Sequence, residues 1–167
     1  VEPCPGIFDV LELLRENNIR TGLVSNGLGK GYGHDILKSF ALEPYFDVTI
    51  FREDITRSKP HPDPILKALQ AFKDEPTEHD LVWYIGDRRK DIQAAIAAKP
   101  HLPCELDAFG YGMNAALAVL ENQLPSDHIL MSWSDLETAF RRHLKSKKPQ
   151  VQRPDMRDQK KPEDLAA

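Results

Sequence analysis

The sequence has little cysteine. Its two residues, Cys4 and Cys104, lie far apart, with neither metal-ligand spacing nor a disulfide framework. They read as reduced thiols, which suits a cytoplasmic protein. No apolar run approaches the roughly 18 residues of a membrane span, so no membrane partner is expected. The opening residues, Val-Glu-Pro-Cys-Pro, lack the basic start and apolar centre of a secretory leader. There is also no initiator methionine, and the chain is expected to begin partway through a longer protein. Nor is there an excess of positive charge: 22 Lys and Arg face 26 Asp and Glu, a net charge of -4. That argues against a nucleic-acid partner, which a basic surface would attract. No internal repeat is visible. The glycines of Gly27-Leu-Gly-Lys-Gly-Tyr-Gly33 alternate, which does not fit the G-x-G-x-x-G of dinucleotide binding. That stretch reads as a flexible turn, with phosphate binding by its backbone amides as the lesser alternative.

What is present is a soluble globular composition: 167 residues, 41% hydrophobic and 29% charged, enough for one domain with a core. From Lys145 onward seven Lys and Arg (145, 147, 148, 153, 157, 160, 161) stand against four acids (155, 158, 163, 164). This balance of +3 leaves -7 for the remainder. With Pro149, Pro154 and Pro162 and few large apolar residues, 145–167 is expected to be a disordered charged tail behind a core domain of 1–144.

Within that domain, helical and strand patterns alternate. Helices are expected over Pro5–Asn17, His34–Phe40, Pro64–Phe72, Asn114–Asn122, and from a Ser134-Asp-Leu-Glu137 capping box to about Leu144. Strands are expected over Ile19–Val24, Tyr45–Phe51, Leu81–Ile85, Glu105–Phe109 and His128–Met131. This alternation is that of an α/β fold with a parallel sheet covered by helices on both faces.

The most informative stretch is Tyr84-Ile85-Gly86-Asp87-Arg88-Arg89-Lys90-Asp91. The five apolar residues Leu81–Ile85 suit a strand buried on both faces. Gly86 ends it, and Ile92, Ala95, Ile96 and Ala98 mark a following helix. Asp87 then sits at the carboxyl end of the strand and Asp91 in the first helical turn. Ligands bind at that edge of open parallel sheets, and two carboxylates there suit magnesium. The alternative is that Asp87 caps the helix and Asp91 is a solvated surface charge. Ser25-Asn26 follows an earlier strand and Lys59 lies in the loop after the next. A hydroxyl, an amide and an ammonium are what a transferring phosphoryl group requires, because charge develops on its oxygens. Taken singly, Ser25-Asn26-Gly27 also reads as a turn and Lys59 as a surface lysine.

Val24-Ser25-Asn26-Gly27, Ser58-Lys59-Pro60-His61-Pro62-Asp63 and Ile85-Gly86-Asp87-Arg88-Arg89-Lys90-Asp91 resemble the second, third and fourth motifs of the haloacid dehalogenase superfamily. The phosphoglycolate-phosphatase-like branch is the nearest likeness, over residues 3 to about 144. Pro5-Gly6, Tyr45-Phe46-Asp47 and Phe109-Gly110-Tyr111-Gly112 agree with it. The resemblance implies a Rossmann-like parallel sheet and a phosphate site of Ser25, Asn26 and Lys59. It implies catalytic roles for Ser25, Lys59 and Asp87. It also implies Mg2+ on Asp87, with Asp91 binding it directly or through water. Arg88 departs from the family's usual Ser or Thr.

The family's first motif, a strand ending in Asp-x-Asp, is missing: no Asp-x-Asp occurs in the sequence. Asp9 begins a similar stretch, but Leu11 stands where the second carboxylate belongs and the segment has helical periodicity. The family's first strand lies at the centre of its sheet, between the strands ending at Ser25 and Asp87. The sheet is therefore expected to be incomplete at its central strand. The chain is expected to be the carboxyl-terminal part of a longer protein that also holds the first motif and a cap. The leading expectation is a magnesium-dependent phosphatase of a small phosphorylated metabolite, of which this chain is an inactive piece. The alternatives are a catalytically silent phosphate- or partner-binding domain, a 2-haloacid dehalogenase, or a sugar-phosphate mutase.

Overall fold

The computed structural model describes residues 2–147. The expected tail lies outside the described residues from position 148. The elements in order are α1 (Ile7–Glu16), β1 (Gly22–Val24), α2 (Lys30–Ser39), β2 (Val48–Ile50), α3 (Asp63–Gln70) and β3 (Leu81–Gly86). Then follow α4 (Arg89–Ala98), β4 (Glu105–Tyr111), α5 (Met113–Glu121), β5 (Ile129–Leu130) and α6 (Trp133–Lys147). Helix α6 thus continues through 145–147, past the expected end of the domain.

Every strand pairing is parallel, and the strands form two sheets, β1-β2 and β3-β4-β5. Among the described residues no strand joins β1 to β3, so the sheet is interrupted between the strands that end at Ser25 and at Asp87. Helices span the interruption. Ile65 and Leu69 of α3 share a core with α4, β4 and α5. Ala68, on the same helix, packs on Val48 and Ile50 of β2. On the other face, Val10 of α1 and Leu136 of α6 join Phe109 and Leu130, with Trp83 and Ile85 against them. Burying such side chains supplies most of the stabilisation, roughly 1.5–3 kcal/mol for each large one.

The interruption corrects one expectation. The apolar run Leu81–Ile85 was expected to be buried on both faces, yet every residue of β3 is only half-buried. Strand β4, flanked on both sides, buries Leu106, Ala108, Phe109 and Gly110. A strand with a neighbour on one side loses the side-chain cover that a second neighbour provides. Its unpaired edge also leaves backbone groups without strand partners.

The glycine-rich turn is also corrected, because α2 begins at Lys30 rather than near His34. A Cβ on Gly33 would lie 2.2 Å from a Phe51 ring carbon. Glycine at this position lets the helix approach that ring closely. The capping box is shifted by two residues. Ser132 Oγ accepts from Asp135 N at 3.3 Å, while Asp135 Oδ2 accepts from Ser132 N at 2.9 Å and Met131 N at 2.8 Å. Those two amides hold the Asp135 carboxyl below the usual carboxylate range. A lowered folded value means the contribution is present above the unfolded value and fades as pH falls through the folded one. Asp135→Ala should cost about 1 kcal/mol at neutral pH. In urea titrations the difference from wild type should shrink as pH falls below the usual carboxylate range.

Candidate active site

The carboxyl end of β3 and the loop before α3 meet in a buried ion pair. Lys59 Nζ lies 2.6 Å from Asp91 Oδ1, with side-chain exposures of 9% and 4%. Away from water such a pair is strongly coupled, and removing either partner strands the other. Asp91 sits in the first turn of α4, where its Oδ2 accepts from Arg88 N at 3.0 Å. One carboxylate thus caps the helix and neutralises the lysine.

The structure inverts the alternative roles of the two aspartates. Asp91 is the buried capping residue, and Asp87 is the solvated one, with its side chain 70% exposed and Oδ2 3.8 Å from Arg88 Nε. Lys59 is no surface lysine. Gly86 makes the arrangement fit: a Cβ there would lie 2.1 Å from Asp91 Cβ. No larger residue allows the helical turn to come this close to the strand end.

Tyr84, which the sequence reading did not single out, belongs to the same cluster. Lys59 Nζ donates to its hydroxyl at 3.1 Å. Burial, then the carboxylates of Asp91 and Asp87, push the Tyr84 phenol far up, so it stays protonated. The signal was available: Tyr84 is the one hydroxyl in an apolar strand and has the same parity as Gly86, on the face away from Trp83 and Ile85.

Ser25 and Asn26 stand at the carboxyl end of β1. Ser25 N donates to Ile50 O at 2.9 Å, which continues the β1-β2 ladder. Ser25 Oγ accepts from Leu28 N at 3.2 Å, so the turn reading of this motif describes its local structure. That bond leaves the hydroxyl proton available to an acceptor. Asn26 Oδ1 is buried and finds no donor among the described residues. The structure therefore joins Lys59, Tyr84 and Asp91 directly and sets Asp87 beside them. Ser25 and Asn26 stay in their own turn, with no hydrogen bond to Lys59 among the described residues. Asp9 lies within α1, which agrees with its helical periodicity.

The donor set fits a magnesium ion in part. Asp87 offers an exposed carboxylate. Asp91 Oδ1, though paired with Lys59, makes no aligned hydrogen bond and keeps acceptor capacity. Among the described residues no group of three or more His, Cys, Asp or Glu is gathered as a metal site. Two carboxylates still suit magnesium, which retains several waters.

The family model for haloacid dehalogenase-like hydrolases matches residues 1–101. The phosphoglycolate phosphatase of Salmonella paratyphi A is 33% identical over 136 residues, which cover 81% of this chain and 50% of that protein. The phosphoglycolate phosphatase of Nitrosospira multiformis is 32% identical over 117 residues, 70% of this chain and 48% of that protein. The chain spans about half the length of the curated relatives it matches. The crystal structure of a hydrolase of the same superfamily from Ehrlichia chaffeensis superposes with a TM-score of 0.66 at 28% identity, over 84% of this chain and 58% of that one.

Proposed function

The chain belongs to the haloacid dehalogenase-like hydrolase family, and on that premise we propose that it is the phosphate- and metal-binding part of a magnesium-dependent phosphatase of small phosphomonoesters. The observation that carries the reading is the buried Lys59–Asp91 pair at 2.6 Å, held at a strand end beside an exposed carboxylate. In this reading Lys59 places a fixed positive charge against the phosphoryl oxygens. Tyr84 orients that ammonium, and Asp91 holds it in place. The Ser25 hydroxyl and the Asn26 amide donate to the same group from the end of β1. Asp87, with Asp91 behind it, would hold magnesium, which supplies charge neutralisation for the developing oxyanion. Fixed charges and donors of this kind supply most of the catalysis in phosphoryl transfer.

The nucleophile and its acid–base partner would come from a strand lying between β1 and β3. The two parallel edges left unpaired among the described residues and the half-buried apolar face of β3 favour such a strand, which a longer protein containing this chain would contribute. Substrate choice would then rest with a cap outside the chain, and the core domain would end with α6. Names of relatives such as phosphoglycolate phosphatase support a small anionic phosphomonoester as substrate.

The test is hydrolysis of p-nitrophenyl phosphate. The longer protein should hydrolyse it only with magnesium, and Asp87→Asn should lower kcat/KM at least about hundredfold. The 167-residue chain should show no turnover. Chelator-resistant activity, or turnover by the chain that Asp87→Asn removes, would overturn the reading.

A further inference from the structure

We propose that Asp54 is a positioning residue of the phosphate site, one that fixes the turn of Ser25 and Asn26 relative to Lys59; the role rests on the phosphate-binding reading above. The need for it follows from the interrupted sheet. Ser25 and Asn26 end β1, in the two-stranded sheet, whereas Lys59 is held by Tyr84 of β3 and Asp91 of α4. No strand joins the two sheets among the described residues. The chain that crosses is 51–63, which leaves β2 beside the Ser25 turn and delivers Lys59 to the end of β3.

A continuous run of hydrogen bonds follows that path. Leu28 N donates to Ser25 Oγ at 3.2 Å, and Leu28 O accepts from Arg52 N at 3.0 Å. Arg52 opens a short helical turn, Arg52–Asp54. Asp54 closes that turn twice: its Oδ2 accepts from Phe51 N at 3.0 Å, and its N donates to Phe51 O at 2.9 Å. The Phe51 amide foremost, then the charges of Lys30 and Lys67, hold this carboxyl below the usual carboxylate range. Lys67 Nζ of α3 donates to Asp54 O, and Lys30 Nζ of α2 lies 3.5 Å from Asp54 Oδ1. The Lys59 loop is tied to the same α3, because the Arg57 fork donates to Asp63 Oδ2 and Oδ1 at 2.8 and 3.0 Å. Asp54 thus touches both the helix after the Ser25 turn and the helix after Lys59. A second tie runs beside it, where Glu53 Oε2 accepts from Lys30 N at 2.7 Å. Without Asp54 the turn at 52–54 loses its cap, and hydroxyl and ammonium are no longer held at one separation. Groups preset at a fixed spacing bind an anion without the entropy loss of bringing them together.

The experiment is calorimetric titration of inorganic phosphate into the 167-residue chain and its variants. Ser25→Ala should weaken wild-type binding about tenfold, the size of one charge-assisted hydrogen bond. Asp54→Ala should weaken it about fivefold, although Asp54 stands outside the site. In the Asp54→Ala background Ser25→Ala should cost no more than about threefold, because a displaced hydroxyl has little left to lose. A residue that only stabilised the fold would leave the Ser25 contribution unchanged. Circular dichroism checks that each variant folds. Should Asp54→Ala fail to fold, Glu53→Ala, at a side chain 51% exposed, removes the second tie and should reduce the Ser25 effect to about fivefold or less. An equal loss from Ser25→Ala in every background would overturn the assignment while leaving the phosphate site standing, and so would an Asp54→Ala affinity within about twofold of wild type. A wild-type affinity that Ser25→Ala leaves unchanged would also overturn it, since no hydroxyl would then need placing. Failure of wild type to bind inorganic phosphate would remove the phosphate-binding reading itself, and this proposal with it.

Discussion

Lys59→Met is expected to lower stability by about 3 kcal/mol and to abolish phosphate binding. Methionine fills much of the space of the lysine stem, so packing changes little. What changes is Asp91, left as a buried carboxylate without its counter-charge, a condition that costs roughly 3–5 kcal/mol. The double variant Lys59→Met, Asp91→Asn should recover most of the loss. An asparagine Oδ1 still accepts from Arg88 N and caps α4, and no buried charge remains. Urea denaturation of both single variants and the double closes the cycle, and the coupling energy should exceed about 1.5 kcal/mol. Additive losses would mean that the pair at 2.6 Å contributes little to the fold.

Gly86→Ala is expected to be comparably harmful, although it adds one methyl group. That methyl would sit 2.1 Å from Asp91 Cβ and 2.7 Å from its Cγ. Both atoms belong to a side chain pinned at its two oxygens, by Arg88 N and by Lys59. Relief requires moving the first turn of α4 away from β3, which breaks the cap or the ion pair. Overpacking of this kind typically costs 1–3 kcal/mol, and the lost pairing adds to it. Thermal unfolding should show a drop of about 5–10 °C, given roughly 2–4 °C per kcal/mol for a domain of this size. A melting temperature within about 2 °C of wild type would show that the turn gives way freely. Gly110 is tight as well, but the nearest atom is a Val119 methyl carbon at 2.8 Å, with Ala115 backbone at 2.9 Å. Alanine there strains a helix contact, and the site less.

The strand-Gly-Asp-helix unit was legible in the sequence because its signal is local. An apolar run, one glycine and a change of period lie within ten or so residues. The order of the elements was legible for the same reason. What could not be read depends on contacts distant in sequence. Lys59 and Asp91 lie on separate elements, so nothing local says that one carboxylate serves both the helix cap and the lysine, or that Asp87 faces water. The early start of α2 goes with Phe51 passing under Gly33, a contact between a helix and a residue 18 positions further along the chain. The α6 cap was misplaced because Ser132-x-x-Asp135 and Ser134-x-x-Glu137 fit the same pattern, and only backbone geometry chooses between them. The half-burial of β3 was not foreseen because an apolar run records the environment a strand is suited to, whether or not both neighbours are present.

The reading that Ser25, Lys59 and Asp87 share one phosphate is tested most directly by titrating inorganic phosphate into the 15N-labelled chain and following amide resonances. Saturable shifts should concentrate on Ser25, Asn26 and Gly27 after β1, on Lys59, and on Gly86 to Asp91 after β3, and should vanish in Lys59→Met. Shifts confined to one of these segments, or scattered over lysines elsewhere, would contradict a common site.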